Sequence, residues 1–294
     1  MRFEHVAVLM GGVSSEREVS LRSGAAIAQG LRETGRKVEE VDVQGADFEL
    51  SAEVEAVFIA LHGAFGEDGK IQTELIRRKM PYTGSNPKSC RLAFDKVLTR
   101  NCLKKHGIPV PDGEVLTPDS PHSLPLPVVV KPPREGSSVG CHLVTEEAQW
   151  PEALNDAARF SGEALAEKYI PGRELTVGIL GNEVLPVVEI QTQRTWYDFE
   201  AKYVTGDTRY LVPAPLDEET KTLLQDLALK TFQALDAEGL GRVDFRLSPQ
   251  GEPFVLELNS IPGFTQTSLL PKAAQAAGIG FSELCGRIME TAHL

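Results

Sequence analysis

Cysteine is scarce and scattered in this chain. Cys90, Cys102, Cys141 and Cys285 form no C-x-x-C pair, which speaks for reduced thiols in a cytosolic protein and against a disulfide framework. Long apolar runs are missing as well. None approaches the ~18 residues of a membrane span, and Gly11-Gly12 arrives too early for a signal-peptide apolar region. Positive charge is in deficit, with 30 Lys and Arg against 42 Asp and Glu and a formal net charge of −12. Such a chain repels nucleic acid and anionic membranes. It can hold an anionic ligand only where lysines and arginines gather locally. Internal repeats and low-complexity tracts are also absent. What remains is an ordinary globular composition, 41% hydrophobic and 24% charged, over 294 residues. That length is too great for one small core and implies two or three domains.

The order of elements follows from periodicity. His5 to Met10 reads as a short apolar strand, and Glu16 to Thr34 as a helix with capping-box spacing at Ser15 and Glu18 and a stop at Gly35. Lys37 to Val43 and Ala56 to Leu61 add strands, and Ile71 to Lys79 a helix. This βαβ rhythm to about residue 95 describes a doubly wound parallel sheet. Asp95 to His106 is a helix, and a proline-rich connector leads into the strand Val128-Val129-Val130-Lys131. Strands with one helix, Glu146 to Arg159, give an α+β middle domain. Beyond Glu183 come further strands, an aperiodic polar segment from Gln191 to Pro213, a helix from Glu218 to Ala237 and a hairpin. A connector of that length suggests an active-site lid or a flexible loop.

The hairpin is the most telling stretch. In Arg242-Val243-Asp244-Phe245-Arg246-Leu247 the two-residue strand period sends Val243, Phe245 and Leu247 one way and Arg242 and Asp244 the other. After the turn Ser248-Pro249-Gln250-Gly251, Leu256 and Leu258 share one face while Glu257 and Asn259 share the opposite one. Two carboxylates held together repel unless a cation lies between them. Mg²⁺ accepts all-oxygen ligands and binds one or two carboxylates together with substrate phosphates. The hairpin alone leaves two readings open, a metal site or an ordinary solvated face.

Other motifs are weaker singly. Gly11-Gly12-Val13-Ser14-Ser15-Glu16 enters a helix N-terminus, where anions are attracted. It lacks G-x-G-x-x-G spacing, so a nicotinamide oxidoreductase is a poor reading, and Glu16 could simply favour the helix dipole. Arg134 to Gly140 is a glycine- and serine-rich loop after a strand that ends in a charge, Lys131. Such loops fold over phosphates, although no G-K-[ST] makes this one a Walker A loop. His62 follows the strand Ala56 to Leu61, at the end of a sheet where ligands bind. Gly263 could bring a backbone N–H to a developing oxyanion. His5 and His293 show no partner spacing.

Taken in order, these segments resemble the D-alanine–D-alanine ligase family of the ATP-grasp enzymes. The matching stretches are GGVSSEREVSLRSG, LHGAFGEDG, PYTGS with FDKVLTR, VVVKPPREGSSVG, EKYIPGRELTVGIL, YDFEAKY, GLGRVDFRL and LELNSIPGFTQTSLLP, spread over nearly the whole chain. The resemblance implies a three-domain ATP-grasp architecture: an N-terminal domain 1–95, a central subdomain 96–181 and a C-terminal subdomain 182–294 with a lid at 191–213 and a metal hairpin at 242–259. It implies ATP-driven condensation of two D-alanines through a D-alanyl phosphate, for peptidoglycan synthesis. Lys96, Lys131, Glu167, Ile170 and Glu174 would hold ATP, with Lys202 reaching the γ-phosphate. Asp244, Glu257 and Asn259 would hold two Mg²⁺, or Mn²⁺ in their place. Glu16 would accept from the first ammonium, with His62 near the first carboxylate and Ser137 bonded to Glu16 and Tyr203. Arg242 and the Gly263 N–H would stabilise the tetrahedral intermediate, and Ser268 and Leu269 would receive the second carboxylate. Tyr203 resembles the dipeptide-forming branch rather than the relatives that make D-alanyl-D-lactate. Thr267 departs from the histidine of many relatives and leaves the finer contacts of the second subsite open. The resemblance also implies a cytoplasmic homodimer. A silent nucleotide-binding regulator is the reading from another class, and Arg242, Asp244, Glu257 and Asn259 together count against it, since binding without turnover needs no full metal set.

Overall fold

The computed structural model describes residues 2–118, 120–192 and 208–294. Lys202, Tyr203 and the middle of the 191–213 segment lie outside the described residues. Among those described, the strands assort into three sheets. β1 (His5–Gly11), β2 (Lys37–Val43) and β3 (Ala56–Ile59) form a parallel sheet in the order β2-β1-β3. Every residue of β1 is buried, as a central parallel strand covered on both faces must be. Val6, Val8 and Met10 pack with Ile27 and Leu31 of α1 (Arg17–Glu33). The alternate residues Ala7 and Leu9 pack with Ile71 and Leu75 of α2 (Lys70–Arg77). The βαβ reading therefore describes this sheet correctly. The capping box does not form: Glu16 is the N-cap of α1 and no side chain caps it. Ser14, not Ser15, bonds the start of the helix, accepting from Glu16 N at 3.2 Å while donating to the His62 carbonyl at 2.7 Å.

Two helices lead out of this unit. α3 (Pro87–Phe94) is capped by Asn86 with proline in its first turn, and α4 (Lys96–Lys105) by Asp95, whose carboxylate accepts from Val97 N and Leu98 N. An antiparallel sheet follows, β4 (Gly113–Leu116), β5 (Val128–Lys131), β6 (His142–Val144) and β7 (Ala164–Lys168), in the order β4-β7-β5-β6. α5 (Trp150–Ala158) covers one face, packing Trp150, Leu154 and Ala157 on Val128, Val130, Ala164 and Ala166. The strand period then turns Val129, Lys131 and Glu167 to the other face. That face looks into a cleft.

The third sheet runs β11-β10-β8-β12-β13, with β9 beside β8. Its strands are β8 (Arg173–Leu180), β9 (Glu183–Val184), β10 (Val188–Gln191), β11 (Arg209–Leu211), β12 (Leu240–Leu247) and β13 (Pro253–Asn259). β8 lies antiparallel against β12 along its whole length, from Arg173 beside Leu247 to Leu180 beside Leu240. α6 (Glu218–Ala234) covers the apolar face, where Val243, Phe245 and Leu247 meet Leu224, Leu227 and Phe232. Two sequence readings change here. Residues 209–211, inside the segment read as aperiodic, pair with β10 as a strand. Leu256 does not share the apolar face, because a bulge between Asp244 and Phe245 sets Phe245 opposite Val255. Val255 and Leu258 are the buried pair, and Leu256 turns into the cleft. A bulge inserts one unpaired residue, and one residue is enough to reverse a side chain's face.

The chain ends where it began. After α7 (Leu269–Ala276), α8 (Phe281–Glu290) lays Leu284, Ile288 and Met289 against Ile27 and Leu31 of α1. Cys90 and Cys285 are buried, and burial pushes their thiols up to about 12. No helix among the described residues is long and apolar enough to cross a membrane.

Candidate active site

The three sheets border one cleft of about 570 Å³, within the range of roughly 300–1,000 Å³ usual for small-molecule sites. The hairpin forms one wall. Register sets Asp244 opposite Glu257 and Arg242 opposite Asn259, so the four polar side chains stand on one face as alternation requires. Arg242 grips Asp244 at two points, Nε to Oδ1 and Nη2 to Oδ2, both 2.8 Å. Thr176 Oγ1, in register on β8, donates to Asp244 Oδ1 at 2.6 Å, and Asn259 Nδ2 donates to Oδ2 at 3.0 Å. The Asn259 amide carbonyl is thereby left as the donor atom for a cation. The donor set is oxygen-only and doubly anionic, which fits Mg²⁺ or Mn²⁺.

Lys96 spans the gap to the next wall. Its ammonium lies 3.2 Å from Glu257 Oε2 and donates to the Glu135 carbonyl at 2.7 Å. Burial works to lower its pKa, but the surrounding groups together, Glu257 first among them, hold it above the ordinary value. Lys131, at the end of β5, is paired with Glu167, which also accepts from Arg100. Glu167 itself is 2% exposed.

The opposite end of the cleft is built around Glu16. Ser137 donates to its carboxylate. A side chain at Gly136 or at Gly63 would put Cβ 2.8 Å from Glu16 Oε2, and Gly63 stands at φ +69°. Only glycine leaves that carboxylate its space. His62 lines the cleft with both ring nitrogens engaged. Nδ1 is 3.0 Å from the Ile261 carbonyl and Nε2 is 3.2 Å from Ser23 Oγ, which accepts from Phe264 N. A carbonyl only accepts, so the network assigns the proton to Nδ1, and Ser23 donates to Nε2.

Comparison with known proteins now decides the family. Residues 103–290 match the model of the D-ala D-ala ligase C-terminus and residues 36–85 that of the N-terminus. The chain belongs to the D-alanine–D-alanine ligase family. It is 42% identical over 290 residues to a D-alanine–D-alanine ligase of Methylacidiphilum infernorum, covering 99% of this chain and 96% of that protein. Against the ligase of Alkalilimnicola ehrlichii it is 47% identical, covering 97% and 93%. Among solved structures it matches the Bacillus anthracis D-alanine–D-alanine ligase complexed with ATP, at TM-score 0.86 and 31% identity over 98% of this chain and 97% of that one. It also matches the VanG D-Ala:D-Ser ligase of Enterococcus faecalis, at TM-score 0.87 and 26% identity, with 99% of each chain covered. The ATP-grasp fold of this ligase family is thus the fold of the chain.

The remaining expected residues lie on the same cleft. Glu174 pairs with Arg246 at 3.2 Å, and Arg246 Nε donates to the Ile170 carbonyl at 3.0 Å. Gly263, Ser268 and Leu269 line the far side, with Ser268 at the N-cap of α7 and its Oγ accepting from Thr265 N at 2.9 Å. The structure thus gathers Glu16, His62, Lys96, Lys131, Ser137, Glu167, Ile170, Glu174, Arg242, Asp244, Glu257, Asn259, Gly263, Ser268 and Leu269 on one cleft. Lys202 and Tyr203 lie outside the described residues. Sequence reasoning missed several supports: Arg246, Arg100, Thr176, Ser23 and Leu256. Arg246 was within reach, since alternation sets it on the same face as Arg242 and Asp244. Arg100 and Ser23 act on residues 67 and 39 positions away, and no local pattern signals that.

Proposed function

We propose that this chain joins two D-alanines in the supply of peptidoglycan precursor, with ATP as co-substrate, and that the residues around the cleft divide the work as follows. The observation that carries the reading is the cluster Arg242, Asp244, Glu257 and Asn259 with Lys96, facing Glu16 and Ser137 across one cleft. Lys131, Lys96 and the glycine-serine loop hold the phosphates, and Ile170 and Glu174 hold the nucleoside. Asp244, Glu257 and Asn259 hold two divalent cations, and Mg²⁺ there supplies charge neutralisation for the β- and γ-phosphate oxygens. Glu16, fixed by Ser137, takes the first ammonium and aims its carboxylate at the γ-phosphorus. That carboxylate oxygen bonds to phosphorus as the bond to ADP breaks. The second amine, its carboxylate held at Ser268 and Leu269, then attacks the acyl carbon. Arg242 and the Gly263 N–H meet the oxyanion, and phosphate leaves as the peptide bond forms.

His62 orients the 261–264 loop through its two ring bonds, which supports a positioning role beside the first subsite. For the domain organisation we place the second boundary near residue 170 rather than 181, because β8 pairs with β12. A cytoplasmic homodimer that binds neither nucleic acid nor membrane completes the reading, supported by the reduced cysteines and by the net charge of −12. The test is phosphate release from ATP and Mg²⁺ over a panel of D- and L-amino acids. D-alanine should stimulate release and yield dipeptide. Equal release without an amino acid, or with L-alanine, would refute the assignment.

A further inference from the structure

Away from the cleft, three ligating side chains converge on the amino-terminal edge of the parallel sheet. Register pairs His5 with Lys37 and Ala7 with Glu39. His5 and Glu39 therefore share a face, diagonal to one another. Glu53, on the connection between β2 and β3, completes the group, and one ligand atom from each of the three lies within 4.8 Å of the others. His5 is 8% exposed, and its Nε2 is shut off from solvent without a hydrogen-bond partner. Glu39 Oε1 lies 2.9 Å from that nitrogen, an ion-pair contact that a cation between them would replace. A buried nitrogen left unsatisfied beside a carboxylate is costly. Ligands around one tetrahedral cation, with bonds of ~2.1 Å, stand ~3.4 Å apart, a spacing that the three side chains can reach.

We propose that His5, Glu39 and Glu53 form a site for a divalent first-row transition cation of the Zn²⁺ class, separate from the catalytic cations. Imidazole nitrogen selects such ions over Mg²⁺, which takes oxygen ligands. The surroundings keep the ligands available. Ser51 Oγ donates to Glu39 and its backbone N lies 3.4 Å from Glu39 Oε2, which fixes that carboxylate toward His5. Glu55 is turned aside, accepting from Glu4 N at 2.6 Å and His5 N at 3.0 Å. A cation here would fasten the connection carrying Ser51 and Glu53 to β1 and β2. The site lies toward the amino ends of the strands, whereas His62 reaches the cleft beyond the carboxyl end of β3. Its role is structural.

The test is a Zn²⁺ titration of chelator-treated full-length protein, in excess Mg²⁺ to fill the hairpin site and without ATP or D-alanine. It is therefore independent of the ligase reading. Wild type should retain one equivalent of Zn²⁺ and unfold at a higher temperature with it, since a ligand of the folded state stabilises that state. His5→Asn and Glu53→Gln should each weaken retention by roughly tenfold or more and abolish the thermal shift. Glu53 is exposed, so its variant reports even if the His5 variant folds poorly. Hydrogen exchange across residues 48–55 should slow on Zn²⁺ addition in wild type alone. Absence of a retained equivalent, or equal retention in wild type and Glu53→Gln, would overturn the proposal.

Discussion

Glu167 and Glu257 both line the cleft and both meet a lysine, but their surroundings are of different kinds. The Glu167 side chain is 3% exposed and is closed between Arg100 and Lys131, themselves 6% and 10% exposed. The Glu257 side chain is 29% exposed, and one lysine approaches it at 3.2 Å. The first cluster is complete as protein. One carboxylate there holds two cations and sets the position of the Lys131 ammonium. The second gathers two carboxylates and an amide on an open strand face, where a cation and phosphates can enter. Full burial fixes a charge in place, whereas partial exposure leaves room beside it for a ligand.

The sharpest way to break this contrast is Glu167→Gln. Removing one member of a buried ionic cluster strands its partners and costs ~3–5 kcal/mol, read as a lower urea midpoint. An unchanged midpoint would mean that Glu167 is not structural. Glu257→Gln should do the reverse, with turnover falling by ~10²–10³ and the unfolding midpoint close to wild type. Near-normal phosphate release at low Mg²⁺ would remove the hairpin from the site. Lys131 belongs to the Glu167 cluster and also lines the cleft. Lys131→Ala should raise the ATP requirement about tenfold and leave that for D-alanine nearly unchanged, as steady-state kinetics on each substrate would show. The opposite bias would move Lys131 to the amino-acid subsite.

A carboxylate away from the cleft gives the smallest effect. Hydrogen bonds from Arg77 and Arg78, with their charges, hold Glu74 down at about 2 against an ordinary 4.5. Its folded pKa is depressed, so the stability it contributes is present above pH 4.5 and lost as pH falls through about 2. Glu74→Gln should therefore flatten the acid limb of the stability profile in that window and lower stability slightly at neutral pH, since partly exposed ion pairs contribute little. An acid limb identical to wild type would show that the pairing contributes nothing.

Alternation made the polar face of β12 legible in the sequence, and Lys131 was legible as a charge ending an apolar strand. The bulge at Asp244 was not, because a strand pattern assumes regular register, and Leu256 was therefore assigned to the core. Contacts across long sequence separations were also hidden. Arg100 on Glu167, Ser23 on His62 and α8 on α1 are set by tertiary packing. The strand at 209–211 is too short to show periodicity and exists through its pairing with β10. The capping box gives way to other bonds: Ser14 accepts from Glu16 N and donates to the His62 carbonyl, and the Glu16 carboxylate accepts from Ser137.

The central claim is that the Glu257 carboxylate serves the ligand while the Glu167 carboxylate serves the fold. Urea unfolding of wild type and Glu257→Gln, each with and without ATP and Mg²⁺, tests it most directly. Without ligand the two midpoints should coincide. With ligand wild type should gain stability according to occupancy, ~2.7 kcal/mol at a hundredfold excess over Kd, and the variant should gain much less. A variant already destabilised without ligand, or one that gains as much as wild type, would contradict the account.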